Sequence, residues 1–303
     1  MSTPRRQKQA SSFEQSSKNS VARRRKAGMS SLWLALSAAA VFALAALLAP
    51  WVAPYDPLEQ NLNGILQGSS WVHWLGTDHL GRDILSRIIY GARPTLLTSS
   101  FAVLIASTLG ISLGMISGYF GGLADAIIMR VMDFLLALPA VLLALLVIVT
   151  LGPGPSSAMV AVAIVGIPEF ARLSRSQVLS LRTREFVLAS KSAGASTARL
   201  LFKVLLPNSA GPLVAQAVVL GALAVFLEAA LSFLGLGVPP PDPSWGQMVS
   251  AGKSYLQYSP GYSLFPGVAI AVLILSLDVI ADRIRQHFAG DENPLTDAPT
   301  KAA

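Results

Sequence analysis

The chain has 303 residues, of which 53% are hydrophobic and only 13% charged, and its mean hydropathy is +0.57. Because ordinary soluble domains are nearer a quarter charged, this composition excludes a soluble globular domain and indicates an integral membrane protein. The chain has no cysteine, which excludes a disulfide framework, thiol catalysis and a cysteine metal site. The net charge of +7 is clustered in particular segments, which is typical of membrane orientation rather than nucleic-acid binding.

The N-terminal part of the chain predicts a tail followed by a membrane span. Residues 1–30 are rich in Ser, Gln, Lys and Arg and cannot form a core, so we predict a disordered basic tail. The apolar run Leu32–Ala49 follows. Its length, and the long charged region before it, favour a retained first span over a cleaved signal peptide. Pro50 and Pro54 are expected to end this helix.

Residues 50–92 form an extramembrane segment that ends in an amphipathic stretch. Apolar residues fall at helical spacing between residues 84 and 89, with polar residues between them. Asp83 and Arg87 lie four residues apart, so this spacing allows them to pair on one helix face. The pattern predicts an interfacial helix that leads into the second span.

Five further apolar runs complete a prediction of six spans. They are Leu96–Ser117, Phe134–Leu151 with Pro139 as a kink, Ser156–Phe170, Leu213–Leu236 and Leu264–Ile280.

Six spans place both termini on the same side, with residues 285–303 as a second tail. With that arrangement, 19 basic residues fall on one side of the membrane and 4 on the other, so the positive-inside rule predicts two cytoplasmic termini. Before the third span, Arg130 and Asp133 lie three residues apart, a spacing that allows them to neutralise each other.

Two features inside the spans have alternative interpretations. Gly110, Gly114 and Gly118 lie four residues apart on one helix face, which predicts a close helix-packing seam, with a pore lining as the alternative. Glu228 is an acid within the fifth span, and charge in lipid is costly and usually functional. It is interpreted either as a structural polar contact or as the proton relay of a secondary transporter.

No pattern typical of an enzyme is present. The chain has no phosphate-binding GxxxxGK[ST] loop and no G-x-S-x-G elbow. The three histidines, His73, His79 and His287, are isolated from one another, so no metal-ligand spacing occurs. We therefore expect no catalytic, cofactor-binding or metal-binding residues, and a membrane-embedded enzyme is disfavoured. If transport needs ATP, another subunit must hydrolyse it.

The segment Arg182–Asn208 is basic and polar although long apolar runs lie on both sides of it. Good helix formers run from Glu185 to Arg199 and are interrupted by Gly194, which permits a sharp turn. An apolar face follows at residues 200–205, and Pro207 is expected to stop the helix. The pattern predicts a helix–turn–helix that docks in a groove of a partner, with a merely solvated loop as the alternative.

The same segment resembles the EAA loop of ABC importer permeases. The family pattern is Glu-Ala-Ala, three residues, Gly, nine residues, Ile, any residue, Leu-Pro. Here it runs from Leu188-Ala189-Ser190 through Gly194 to Leu206-Pro207, with the spacing preserved and Leu188 in place of Glu. Three more stretches resemble the C-type permease subunits of dipeptide, oligopeptide and nickel importers: Leu75–Arg93, Asp125–Asp133 and Leu227–Gly252.

The resemblance implies an all-α membrane protein with the type I ABC importer permease fold, whose five-helix core covers residues 93–284 and contains the EAA loop at 182–208. It implies a homologous sister permease as partner in a heterodimer, two cytoplasmic ATP-binding subunits and an extracytoplasmic solute-binding protein at the bacterial inner membrane. The most expected solutes are di- and oligopeptides, with nickel or glutathione as alternatives. The residues implied in coupling to the ATPases are Glu185, Ala189, Ser190, Gly194, Ala195, Ser196, Arg199 and Pro207.

Overall fold

The computed structural model describes residues 30–290. Within this range the chain is mainly helical, and its only β-type pairing is an isolated bridge between Thr77 and Asp83. The predicted basic tail lies outside the described residues, as does the C-terminal tail from residue 291. Residues 285–290, which we assigned to that tail, instead continue the last helix.

The helices in chain order are α1 (Ser30–Leu47), α2 (Ala49–Val52), α3 (Ile84–Phe120), α4 (Gly122–Leu136), α5 (Ala140–Leu151), α6 (Pro155–Leu181), α7 (Glu185–Ser192), α8 (Thr197–Arg199), α9 (Leu206–Asn208), α10 (Ala210–Phe233), α11 (Trp245–Gly252) and α12 (Gly261–Gly290). A π-helix (Leu200–Leu205) joins α8 to α9, and two 3₁₀ turns occur at Leu62–Gly64 and Lys253–Tyr255. In this part of the chain, α1, α3, α6, α10 and α12 are long and apolar enough to cross a membrane.

The third predicted span is broken rather than kinked. Helices α4 and α5 meet at an angle of 96° across a short break. Pro139 is the residue before α5, and it disfavours a helical conformation at the preceding Leu138. The six-span prediction is therefore confirmed when α4 and α5 are counted as one broken span.

The predicted interfacial helix is not a separate element, because its residues form the first turns of the 37-residue helix α3. The predicted pairing of Asp83 with Arg87 is wrong. The carboxylate of Asp83 instead caps α3, accepting a hydrogen bond of 2.8 Å from the backbone N–H of Ser86. Arg87 faces Asp78, as described below.

Two ion pairs fasten α4 to α6. Asp133 accepts a 2.6 Å hydrogen bond from Arg172, so its predicted partner Arg130 is not the one it uses. Asp125 accepts two 2.6 Å bonds from the guanidinium of Arg175. Both acids lie on α4. Both arginines lie beyond the predicted end of the fourth span, but they are still part of α6, because this helix continues as far as Leu181.

The longest helix interface joins α3 to α6, and glycines on α3 make it close. A Cβ atom at Gly110 would overlap the side chain of Phe170, and one at Gly114 would overlap the carbonyl oxygen of Ala171. Gly118 continues the same face one turn further on, also against α6. Small residues at this spacing allow two helix backbones to approach.

The bundle has two distinct ends. At the first, which we call the loop end, residues 53–83 and 234–260 pack against the starts of α3 and α12, and Trp245 donates a 2.8 Å hydrogen bond from Nε1 to the carbonyl of Ile88. At the second, the basic end, the segment Arg182–Asn208 packs against the last turns of α3 and α6.

The glycine seam yields a test of stability. Gly114→Ala is expected to lower the free energy of unfolding by about 1–3 kcal/mol, because the added methyl group forces α3 away from α6. Gly267→Ala on α12 is the matched control, since its Cβ would meet no atom within 4 Å and alanine favours a helix. The free energies of unfolding of both variants are measured in detergent, with tryptophan fluorescence as the signal. Equal loss in the two variants would contradict the seam.

Candidate functional site

The basic segment folds as two short helical pieces separated by a turn, as predicted. Glu185 lies in the first turn of α7 and Lys191 in the last, where each complements the helix dipole. Gly194 adopts a φ of 79°, in the left-handed region that glycine tolerates, and the chain reverses there. The side chain of Ser196 then caps α8 by accepting a hydrogen bond of 3.4 Å from the N–H of Arg199.

Pro207 does not stop the helix, contrary to the prediction. The backbone stays helical from α8 through the π-helix and α9, and only Ser209 separates α9 from α10. Proline clashes with the carbonyl four residues earlier, and the wider π-turn relieves this clash. The backbone N–H of Leu206 accordingly bonds to the carbonyl of Leu201, five residues back. The basic segment is therefore joined to α10 without a flexible loop.

One face of the basic segment is anchored and the other is exposed. Val187, Leu200, Leu201 and Leu205 are buried in a cluster with Met115 of α3 and Val178 of α6. Away from this cluster, Phe186 is 43% exposed, Leu188 is 50% exposed and Phe202 is 57% exposed. The segment thus presents apolar side chains outward among basic ones, which is unusual for a merely solvated loop.

The residues predicted to couple to the ATPases all lie on this segment, and most of them are exposed. Ser190 and Ala195 are half-buried, and the hydroxyl of Ser190 donates to the carbonyl of Phe186 at 2.8 Å. The remaining six are exposed: Glu185, Ala189, Gly194, Ser196, Arg199 and Pro207. Leu188, which stands where the EAA pattern has Glu, is exposed beside them.

Glu228 is buried on α10 and both of its carboxylate oxygens accept hydrogen bonds. Thr95 of α3 donates to Oε2 at 2.8 Å, and Ser232 donates to Oε1 at 2.8 Å. This geometry favours the structural polar contact over the proton relay. The sequence analysis missed a second acid, Glu169, which lies on α6 directly after Pro168 and is exposed. A count of acids over all of α6 would have found it.

The loop end contains a buried charge cluster that the sequence analysis also missed. Asp78 is fully buried, and its Oδ2 accepts a 2.7 Å hydrogen bond from Nε of Arg82. Nε of Arg87 lies 3.6 Å from the same oxygen. The only available signal was the density of charges in the short stretch 78–87. Which of these charged residues pair with one another depends on a turn that sequence spacing alone does not predict.

A cavity of about 300 Å³ lies beside this cluster. Its polar lining residues are Gln60, His79, Arg82, Arg87, Gln247 and Tyr262. Nδ1 of His79 lies 3.0 Å from the hydroxyl of Tyr262. Burial lowers the pKa of His79 below its usual value of 6.5, and the two nearby guanidinium groups act in the same direction while Asp78 opposes them. The imidazole is therefore neutral at neutral pH.

Comparisons with known proteins agree with this architecture. The family described as "Binding-protein-dependent transport system inner membrane component" matches residues 110–290. The family described as "N-terminal TM domain of oligopeptide transport permease C" matches residues 22–68.

Relatives match over most of the chain. The dipeptide transport system permease protein DppC of Alkalihalophilus pseudofirmus is 43% identical over 80% of this chain and 80% of its own length. The di/tripeptide transport system permease protein DppC of Pseudomonas aeruginosa is 44% identical over 79% of this chain and 81% of its own. The glutathione transport system permease protein GsiD of Pectobacterium atrosepticum is 39% identical over 78% and 79%.

A solved structure of the MetNI methionine ABC transporter, described as inward facing, shares the fold. Its TM-score is 0.55 over 67% of this chain and 97% of the other, at 20% identity. This chain therefore has the same fold as the matched chain of that ABC transporter. The chain belongs to the binding-protein-dependent permease family, within its dipeptide and oligopeptide branch.

The charge cluster at the loop end yields a second test of stability. Asp78→Asn is expected to lower the free energy of unfolding by about 3–5 kcal/mol, because two buried guanidinium groups would lose their shared carboxylate. Glu59→Gln removes an exposed acid from the same segment and is expected to change stability by less than about 0.5 kcal/mol. Thermal unfolding of the two purified variants makes the comparison. A similar small shift in both would mean that Asp78 does not hold the cluster together.

Proposed function

We propose that this chain is the transmembrane permease subunit of an ATP-driven, binding-protein-dependent importer of di- and oligopeptides. It forms half of the translocation pathway with a homologous sister permease. Two cytoplasmic ATPase subunits bind the basic end, and an extracytoplasmic solute-binding protein delivers the peptide to the loop end. The observation that supports this most directly is the basic segment, which is firmly anchored on one face and presents exposed apolar residues on the other.

Coupling follows from how this segment is joined to the spans. Val187 is held in the cluster that contains Met115 of α3 and Val178 of α6. The other end of the segment continues through α9 into α10 with one intervening residue. A force applied by an ATPase to α7 or the Gly194 turn is therefore transmitted to three spans at once. ATP-driven closure of the ATPases then biases the pathway between two conformations, because they contact the two conformations differently.

Peptides are the solutes best supported by the relatives. Those of Alkalihalophilus pseudofirmus and Pseudomonas aeruginosa are named for dipeptides and for di- and tripeptides. The relative of Pectobacterium atrosepticum is named for glutathione, which is itself a tripeptide derivative. Glutathione and nickel are the alternative solutes within the same type of importer.

A proton-coupled secondary transporter is the competing function. It would use Glu228, whose two oxygens are both hydrogen bonded to hydroxyl groups of neighbouring residues. Glu228→Gln keeps the shape of this side chain but cannot release a proton. Peptide uptake that persists in this variant, and that stops when ATP hydrolysis is blocked, is expected for the importer. The opposite pair of results would establish the secondary transporter.

The docking role of the Gly194 turn is tested by two tryptophan substitutions. Gly194 and Gly235 have φ values of 79° and 80°, both are exposed, and a Cβ at either meets no atom within 4 Å. Gly194→Trp is expected to reduce co-purification with the ATPases at least tenfold. Gly235→Trp strains the backbone equally at the loop end and is expected to leave co-purification unchanged. If Gly194→Trp retains its ATPases and transports normally, the docking role is wrong.

The orientation is tested by cysteine labelling, since the chain has no cysteine of its own. Ser69 at the loop end and Ser192 at the basic end are both exposed. In intact spheroplasts, a membrane-impermeant maleimide is expected to label Ser69→Cys at once, and Ser192→Cys only after permeabilisation. The reverse pattern would place the basic end outside the cell and exclude ATPase binding there.

A further inference from the structure

Helix α1 is the least buried of the five long helices that the structure describes. Only 11% of its residues are buried against the rest of the chain. Near the loop end, the ring of Phe42 meets that of Trp245 edge to face at 5.3 Å, and Ala46 packs in the same apolar cluster. Most of the surface of α1 is therefore free to contact the membrane or another subunit.

Pro50 explains why Arg93 of α3 bonds to the end of α1. Proline has no N–H, so the carbonyl of Ala46, four residues earlier, has no partner within its own helix. Nε of Arg93 donates to that carbonyl at 2.6 Å, and Nη2 donates to the carbonyl of Leu47 at 3.4 Å. The guanidinium is thereby fixed level with the last residues of the first span, where the hydrocarbon core meets the lipid headgroups.

The positive charge of Arg93 has no carboxylate partner among residues 30–290. Asp56 and Asp242 line the neighbouring pocket beside Tyr90, but neither carboxylate forms an ion pair with Arg93. The ring of Tyr90 lies 5.4 Å from the guanidinium, and this cation–π contact leaves the net charge in place. Arg93 is only half-buried, and its Nη1 makes no hydrogen bond in the same range. The guanidinium can therefore still bind an anion.

An apolar groove of about 500 Å³ leads away from Arg93 between α1 and α3. Besides Arg93 it is lined by Ala43, Ala46, Leu47, Leu96 and Leu97, with Ser100 at its far end. The seven residues from Arg93 to Ser100 correspond to about 10 Å of helix, directed into the hydrocarbon layer. Leu47 is 69% exposed and Leu97 is 58% exposed, so the groove is open at the surface of the bundle.

We propose that this groove binds a phospholipid, with its phosphate on Arg93 and the upper part of an acyl chain between α1 and α3. A guanidinium binds phosphate oxygens through paired, charge-assisted hydrogen bonds. One positive charge at the headgroup level with an apolar groove below it matches the order of phosphate and chain in a bilayer. A helix of another subunit would have to supply an acid at this depth, whereas the membrane supplies phosphate and chains together. The site does not depend on which solute is imported.

The first experiment measures lipid binding to the protein purified with the subunits that accompany it. After delipidation in detergent, native mass spectrometry records the binding of added phosphatidylethanolamine, phosphatidylglycerol or diacylglycerol. Both phospholipids are expected to bind, and diacylglycerol, which has the same chains but no phosphate, is expected to bind at least tenfold more weakly. Inorganic phosphate, which has no chains, is expected not to displace them. Equal binding of diacylglycerol would overturn the proposal, and displacement by inorganic phosphate would assign the site to a free anion instead.

Two variants locate the lipid. Arg93→Gln removes the charge, but it also alters the contacts that hold the end of α1. Ala43→Trp leaves those contacts in place and fills the groove from the side of α1. Each variant is expected to bind one phospholipid fewer per copy of this chain than the unchanged protein. Ala271→Trp adds the same ring at an exposed position on α12 and is expected to bind the full number. If Ala43→Trp or Arg93→Gln binds the full number, or if Ala271→Trp loses as much, the groove is not the site.

A neighbouring subunit in the groove would give a different result. The chain has no cysteine of its own, so Ser100→Cys can carry a single bimane label inside the groove. In nanodiscs, phospholipids with brominated acyl chains are expected to quench this label strongly. The same label on Ser192→Cys, in the exposed basic segment, is expected to be quenched little. Equally weak quenching at both positions would show that protein fills the groove and would overturn the lipid ligand. Loss of peptide import would change none of these results, so this site and the proposed function fail independently.

Discussion

The close approach of α3 to α6 is the constraint on which the rest of the structure depends. In a membrane, lipid offers no hydrophobic drive for two helices to associate, so their interface relies on packing. The glycines at 110, 114 and 118 allow the backbone of α3 to contact α6 directly. The last turns of the same two helices form the apolar surface against which the basic segment packs. The first turns of α3, with Arg87, and the capping residue Asp83 lie at the loop end. One packed pair therefore connects both ends of the molecule.

The two ends use this rigid pair in different ways. At the basic end, an apolar cluster holds the segment, and the exposed groups above it are available to a partner. At the loop end, burial of Asp78 with two arginines organises an irregular stretch that contains little secondary structure. Buried ion pairs contribute little net stability, but they impose a specific arrangement, and removal of one member is costly. The loop end is thus positioned by charge and the basic end by apolar packing.

How much of this was predictable depended on the range of the interaction. Long apolar runs located the spans, and the spacing around Gly194 located the turn of the basic segment, because both are local in sequence. The kink predicted at Pro139 proved to be a 96° break, and the helix predicted to stop at Pro207 continues through it. The effect of a proline depends on whether the neighbouring backbone can rearrange, as the π-helix does. The ion-pair partners expected for Asp83 and Asp133 were wrong. Asp83 caps its own helix, and Asp133 pairs with Arg172 on another helix. The cluster around Asp78 was missed for the same reason.

The departure of the basic segment from the EAA pattern changes the physical character of the proposed docking surface. Where the pattern has an acid, this chain has Leu188, and the nearby Phe186 and Phe202 are also exposed. Association through these residues would gain its free energy from burial of apolar area, which is largely insensitive to salt. The surrounding basic residues would steer the encounter and would be screened by salt. On such a surface, apolar burial would set the strength of docking and the basic charges would set its rate. The proposed coupling therefore does not depend on an acid at position 188.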